Sequence, residues 1–159
     1  MAQGDTVLFN KFVEDMGDKL YNLSGDTFKL ALVKSSANGG IDPTATTADP
    51  RWGSGGTTNL SSSEVTPGGN YTTGGESLST TITDNWTISS NVSKFDGDDV
   101  SIASNASNPT NARWGIVYDD TDSGKRAIGY VDLGADSDLS GGNFTLAWNA
   151  SGIFTLTRN

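Results

Sequence analysis

Between residues 112 and 157 the chain reads as four short strands in a row. Each is a short run rich in β-branched and aromatic residues, and the three gaps between the runs are built mainly from Asp, Ser, Gly and Asn. The runs are 112–119, 126–133, 143–148 and 152–157. Phe144, Leu146 and Trp148 alternate along the third, and Ile153 and Thr155 alternate with Phe154 and Leu156 along the fourth. A period of two places such residues on opposite faces of a sheet. The first gap, from Asp119 to Lys125, and the last, Asn149-Ala150-Ser151, have the composition of hairpin connections. The stretch predicts an antiparallel meander.

Upstream, 27–34 reads as a strand, with Phe28, Leu30 and Leu32 on one face and Ala31 and Val33 on the other. Segments 76–82 and 85–90 predict a strand pair anchored by Trp86 and Ile88. Segments 91–95 and 99–103 predict another, around Asp96-Gly97-Asp98. Together these make about seven to nine short strands, the spacing of an all-β, antiparallel, jelly-roll-like β-sandwich. One helix is expected over 6–22, because Leu8, Phe9, Phe12, Val13, Met16 and Leu20 recur at spacings of three and four; Gly17 weakens it and can end it early. From 35 to 75 the chain is mostly Gly, Ser, Thr, Asn and Pro, with isolated apolar residues at Ile41, Trp52, Leu60, Val65 and Tyr71. A loop of that length inside a domain is usually functional or ordered by a partner. The expected organisation is a single domain over 1–159, with a helical arm at 1–25 and this long polar loop.

The chain has no cysteine and no histidine. That removes thiolate chemistry, disulfides, Ser-His-Asp hydrolysis and the His-based metal sites. A net charge of -9 repels phosphate backbones, so nucleic acid is not an expected partner. No apolar run approaches the roughly 20 residues that span a bilayer, and the first residues lack the basic and apolar regions of a secretory signal. Membrane attachment and cofactors are not expected, and synthesis in a cytoplasm is.

The nearest approach to a metal site is Asp120-Thr121-Asp122-Ser123-Gly124, where Asp120 and Asp122 stand at alternate positions. Gly falls one place early for a calcium loop, and Val131 occupies the place of the closing Glu, so a turn accounts for the residues without an ion. Asp96, Asp98 and Asp99 pose the same choice. Glu is confined to Glu14, Glu64 and Glu76, and no spacing selects a glycosidase pair. Pro67-Gly68-Gly69-Asn70 lacks the Lys and Ser/Thr of a phosphate loop. Trp86, Trp114 and Trp148 fall in strand patterns that bury them. Trp52, in the polar loop, is expected to be exposed or covered by a partner; the helix bearing Phe9 and Phe12 is expected to pack on the edge or face of the sheet, the alternative being an arm packed against another subunit, with those two rings at the interface.

A series of segments carries a resemblance. It begins with Leu20-Tyr21-Asn22, residues 26–33, and Glu64-Val65 with residues 71–75. It continues through residues 95–100, 112–120 and 128–134, and closes with residues 144–149 and 152–156. From about Lys19 to Thr157 the chain resembles a family of small virion structural proteins of tailed bacteriophages. The resemblance implies a non-enzymatic β protein, most plainly a decoration or cement protein that binds the major capsid protein as a dimer or trimer. It would sit on the capsid surface after assembly in the bacterial cytoplasm. A tail or neck component, or a carbohydrate-binding sandwich displayed on the virion with Trp52 as its platform, are the alternatives.

Overall fold

Two strands distant in sequence form the centre of the molecule. The computed structural model describes residues 5–45, 48–82 and 84–158. Among them are β1 (Thr6–Leu8), α1 (Asn10–Gly17), β2 (Phe28–Lys34), β3 (Pro50–Arg51), β4 (Thr58–Asn59) and β5 (Glu76–Ser77). There follow β6 (Trp86–Ser89), β7 (Val92–Phe95), β8 (Val100–Ile102), β9 (Ala112–Asp119), β10 (Ala127–Ser137), β11 (Phe144–Leu146) and β12 (Phe154–Thr157). β2 and β9 are the inner strands of a five-stranded antiparallel sheet of order β1-β10-β9-β2-β5. Their register sets Leu30 opposite Val117 and Ala31 opposite Ile116. One face therefore carries Phe28, Leu30, Leu32, Val117 and Val131, and the other Ala31, Val33, Trp114, Ile116, Tyr118 and Tyr130. All of these side chains are buried, which is why β2 and β9 read as nearly continuous apolar runs.

Smaller antiparallel sheets cover the first face: β12-β7-β6 and β11-β8. Phe28 meets Phe95 edge-on with centroids 4.9 Å apart, and Phe95 stacks on Phe154 at 5.2 Å. This two-layer packing is an antiparallel β-sandwich with one α-helix among the described residues.

The second face is covered by the 35–75 segment. Trp52 stacks on Tyr118 at 5.1 Å and an interplanar angle of 16°. Val65 N–H donates to Leu32 O at 3.0 Å, and the Tyr71 hydroxyl accepts from Leu32 N–H at 2.9 Å. Leu60, Val65 and Tyr71 are buried. The isolated apolar residues of this polar stretch are thus its anchors, and the chain's own sheet orders it.

Three expectations are corrected. The last four strands are not a meander: β9 and β10 pair, but β11 pairs with β8 and β12 with β7. Pairing β12 with β7 lets Phe154 reach Phe95 and Phe12, whereas a β11–β12 hairpin would leave that ring without this contact. The pairs expected at 76–90 and 91–103 are also rearranged. β5 joins β2, and β6 joins β7 through the two-residue turn Ser90-Asn91, with Ser90 at φ 55°. Finally, the helix spans only Asn10–Gly17, because Thr6, Val7 and Leu8 extend along the open edge of β10 and satisfy its backbone groups. It ends in a Schellman arrangement: Leu20 N–H bonds Asp15 O, Lys19 N–H bonds Met16 O, and Lys19 takes φ 60°.

Candidate functional site

The face under the 35–75 segment opens into a cleft of about 590 Å³ lined by Lys29, Trp52, Glu64, Tyr118, Asp120 and Lys125, with the hydroxyl residues Ser61 and Thr73. Lys29 and Tyr118 stand opposite each other in the β2–β9 ladder and share its face. Trp52 is brought there by its N–H, which donates to Lys125 O at 2.8 Å. Burial raises the Tyr118 hydroxyl well above the ordinary tyrosine range, and its O–H donates to Gly74 O at 2.8 Å. Glu64 Oε1 accepts from the Tyr71 hydroxyl at 3.0 Å and from Gly74 N–H at 2.7 Å. Asp120 pairs with Lys29 at 3.0 Å and with Lys125. Burial pushes its carboxyl up, but hydrogen bonds from Lys125 and Lys29 outweigh that and hold it below the usual range. Asp120 therefore stays ionised near neutrality and offers no proton.

Beside the cleft, the β9–β10 turn encloses a denser charge cluster. Asp119 is fully buried; its Oδ1 accepts from the N–H groups of Thr121 and Asp122 at 2.9 and 3.1 Å. Burial raises its pKa to about 7, helped by the neighbouring Asp26 carboxyl and opposed by those two backbone bonds. Arg126 pairs with Asp122 at 2.6 Å and with the buried Asp15 of α1 at 3.3 Å, and Lys11 pairs with Asp15 at 3.0 Å. A carboxylate on the inner side of α1 is stable only because two cations meet it. It also explains why Val13, expected on the buried stripe, is 54% exposed.

The residues expected as possible metal ligands do other work. Asp120 and Asp122 are engaged by lysines and an arginine, and no metal-holding cluster of three or more acidic, His or Cys residues occurs among the described residues. In the other acidic run, Asp96 pairs with Lys94 at 2.7 Å, and Asp99 accepts from Trp148 N–H at 2.9 Å. Asp98 accepts from the Thr80 hydroxyl at 2.6 Å, from Thr81 N–H at 2.5 Å and from the Thr81 hydroxyl. These carboxylates anchor backbone.

Phe9, Phe12 and Trp52, the candidate interface residues, lie in the chain's own core, at 1%, 0% and 5% exposure, the helix packing on its own sheet and not on another subunit. Phe12 meets Tyr21 and Phe154, and Phe9 meets Tyr130, so these rings are not presented on the surface. Exposed apolar residues lie elsewhere: Ile88 at 72%, Val13, Leu156 and Leu20. Ile88, expected as a core anchor, belongs to the part of the β6–β7 hairpin beyond Phe95, where the sheet outruns the core. Spacing could not have found Lys29, Glu64 or Tyr118, since three separate segments converge to form the cleft. Comparison with family models, curated proteins and solved structures finds no match for this chain.

Proposed function

We propose that the chain is a non-enzymatic structural protein of a tailed-phage virion, bound to the major capsid protein on the shell surface as decoration or cement, and acting as a dimer or trimer. The observation that carries the reading is a gathered set of exposed apolar side chains. Ile88 and Leu156 both lie opposite Ser93 and share its face of the three-stranded sheet. On the same face, one pair further along, the half-buried Trp86 and Phe154 flank the buried Phe95, so Ile88 and Leu156 continue the core's edge onto the surface. Trp86 and the α1 residue Met16 line one shallow cleft together with Tyr21 and Leu23. Exposed apolar groups collected in one place on an otherwise polar surface mark a protein contact. A modest contact of this kind, repeated over many shell subunits, strengthens the whole through multivalency. The segment-by-segment resemblance adds the identity of the partner, and the net charge of -9 suits a protein kept soluble before assembly.

The test is cosedimentation with shells lacking the protein, counting bound copies per capsid subunit, for the native chain and for Ile88→Lys and Leu156→Lys. Saturation at a ratio set by shell symmetry is expected, with binding weakened about tenfold or more in each variant, the equivalent of about 1.4 kcal/mol. Absence of saturable binding, or a handful of copies per particle, overturns the capsid placement and moves the search to tail and neck.

A further inference from the structure

The cleft between β2, β9 and the 35–75 segment combines features that the shell-binding reading does not use. Its volume of about 590 Å³ falls in the range of small-molecule sites, about 300–1,000 Å³. Its ionised groups cancel: Lys29 and Lys125 against Glu64 and Asp120. A charged ligand would have to displace one half of the Lys29–Asp120–Lys125 arrangement and leave the other half uncompensated. A neutral ligand bearing several hydroxyls would not, since each hydroxyl both donates and accepts and can bridge a carboxylate to an ammonium without separating them.

The acceptors are set in advance. Both protein hydrogen bonds to Glu64 fall on Oε1, which leaves Oε2 to accept from a ligand. Asp120 is held by two ammonium groups, and Ser61 and Thr73 bring hydroxyls to the same wall. Trp52 and Tyr118, stacked and nearly buried, give a rigid apolar base beneath these polar groups. Fixed polar groups held on this base match the hydroxyls on the rim of a ring, at little ordering cost to the protein.

We infer that this cleft is a binding site for a neutral pyranose, free or at the end of an oligosaccharide. Glu64 and Asp120 accept from its hydroxyls, and Lys29 and Lys125 donate to them. The site lies apart from the Ile88–Leu156 surface and does not depend on it.

The experiment uses the full chain with glucose, galactose and N-acetylglucosamine as free sugars, followed by tryptophan fluorescence and by NMR, and with an array of neutral oligosaccharides. Glu64→Gln, which keeps the shape of the side chain, and Lys125→Ala, at an accessible turn, test the site, with melting temperature as the control for folding. The expected result is saturable binding of at least one neutral sugar, weakened about tenfold or more in each variant whose melting is unchanged. Three results would overturn the inference: no neutral sugar retained up to about 50 mM, where binding is negligible; binding that both variants leave intact; or preference for glucuronate with competition by inorganic sulfate, the behaviour of an anion site. Shell cosedimentation of the same two variants should match the native chain, so a failure here is separable from a failure of the shell-binding reading.

Discussion

The buried carboxyl of Asp119 makes the protein's stability depend on pH in the direction opposite to the usual one. Its ordinary value is 3.8, and in the folded chain it rises to about 7. A carboxyl raised on folding favours the folded state when protonated, so its contribution is best at low pH and is lost as pH climbs from 3.8 toward 7 and stays lost above. Each tenfold change in proton affinity is worth about 1.4 kcal/mol, so the loss between acid and alkaline limits is about 4 kcal/mol, of which about 2–3 kcal/mol falls between pH 5 and pH 8. Asn at this position keeps Oδ1 as acceptor for the Thr121 and Asp122 N–H groups and presents an amide N–H to Asp26, with no charge to desolvate. Asp119→Asn is therefore expected to flatten the pH dependence and to be more stable than the native chain at pH 8 by about 2 kcal/mol, the rest of the gain being discounted for imperfect amide pairing. Urea unfolding followed by tryptophan fluorescence at pH 5, 6.5 and 8 measures both. A native chain equally stable across that range, or a variant with the native slope, would refute the reasoning.

The opposite sign is expected of Asp98. Burial raises its carboxyl, but hydrogen bonds from Thr80 and Thr81 outweigh this and hold it far below 3.8, so its contribution is present above about pH 4 and lost progressively as pH falls further. Asp98→Asn should cost about 1–2 kcal/mol at pH 6 and about half of that at pH 2.5, read by the same urea titrations. Ser90, at φ 55° in the β6–β7 turn, stands where glycine is preferred, and Ser90→Gly should raise stability by about 0.5–1 kcal/mol, measured as a shift in thermal midpoint. Gly74→Ala should lower it by about 1–2 kcal/mol, since φ is +85° and the new methyl would stand 3.2 Å from the Tyr118 hydroxyl. The same variant should loosen the Glu64 anchor, seen as faster amide exchange at residue 74.

Particular residues show what the sequence could disclose. β2 and the β9–β10 hairpin were legible because apolar runs bounded by turn residues specify strands locally. The partners of β11 and β12 were not, since alternation fixes which way a side chain points and leaves the neighbouring strand open. Asp15 lies outside the helix's apolar stripe, and Lys11 together with Arg126, from a distant turn, makes its burial tolerable. In the 35–75 segment, Trp52, Leu60, Val65 and Tyr71 were too scattered to show a period, yet together they close one face of the sheet. Gly75 had no visible role either. Its φ is +80°, and a Cβ there would lie 2.0 Å from Leu30 O, so the backbone must pass bare against β2. Within the cleft, Trp52, expected as an exposed platform, is the buried base. Asp120, weighed as a cation ligand, holds two lysines instead.

The pairing of β2 with β9 also governs when the molecule can form. Thr27 N–H bonds the Thr121 hydroxyl across 94 positions of chain, and every contact of the central ladder needs a closure of similar span. Such a closure must be met before its contacts repay it, which places folding in the slow, millisecond-to-second regime of non-local β proteins. During synthesis β2 emerges early and waits, an uncapped apolar strand, until the residues of β9 leave the ribosome. The polar 35–75 segment, rich in Gly, Ser and Thr and poor in runs of apolar residues, follows β2 out of the ribosome and gives it little cover against aggregation. Yield in the cell should therefore track the fate of the unfinished chain more closely than the stability of the finished one.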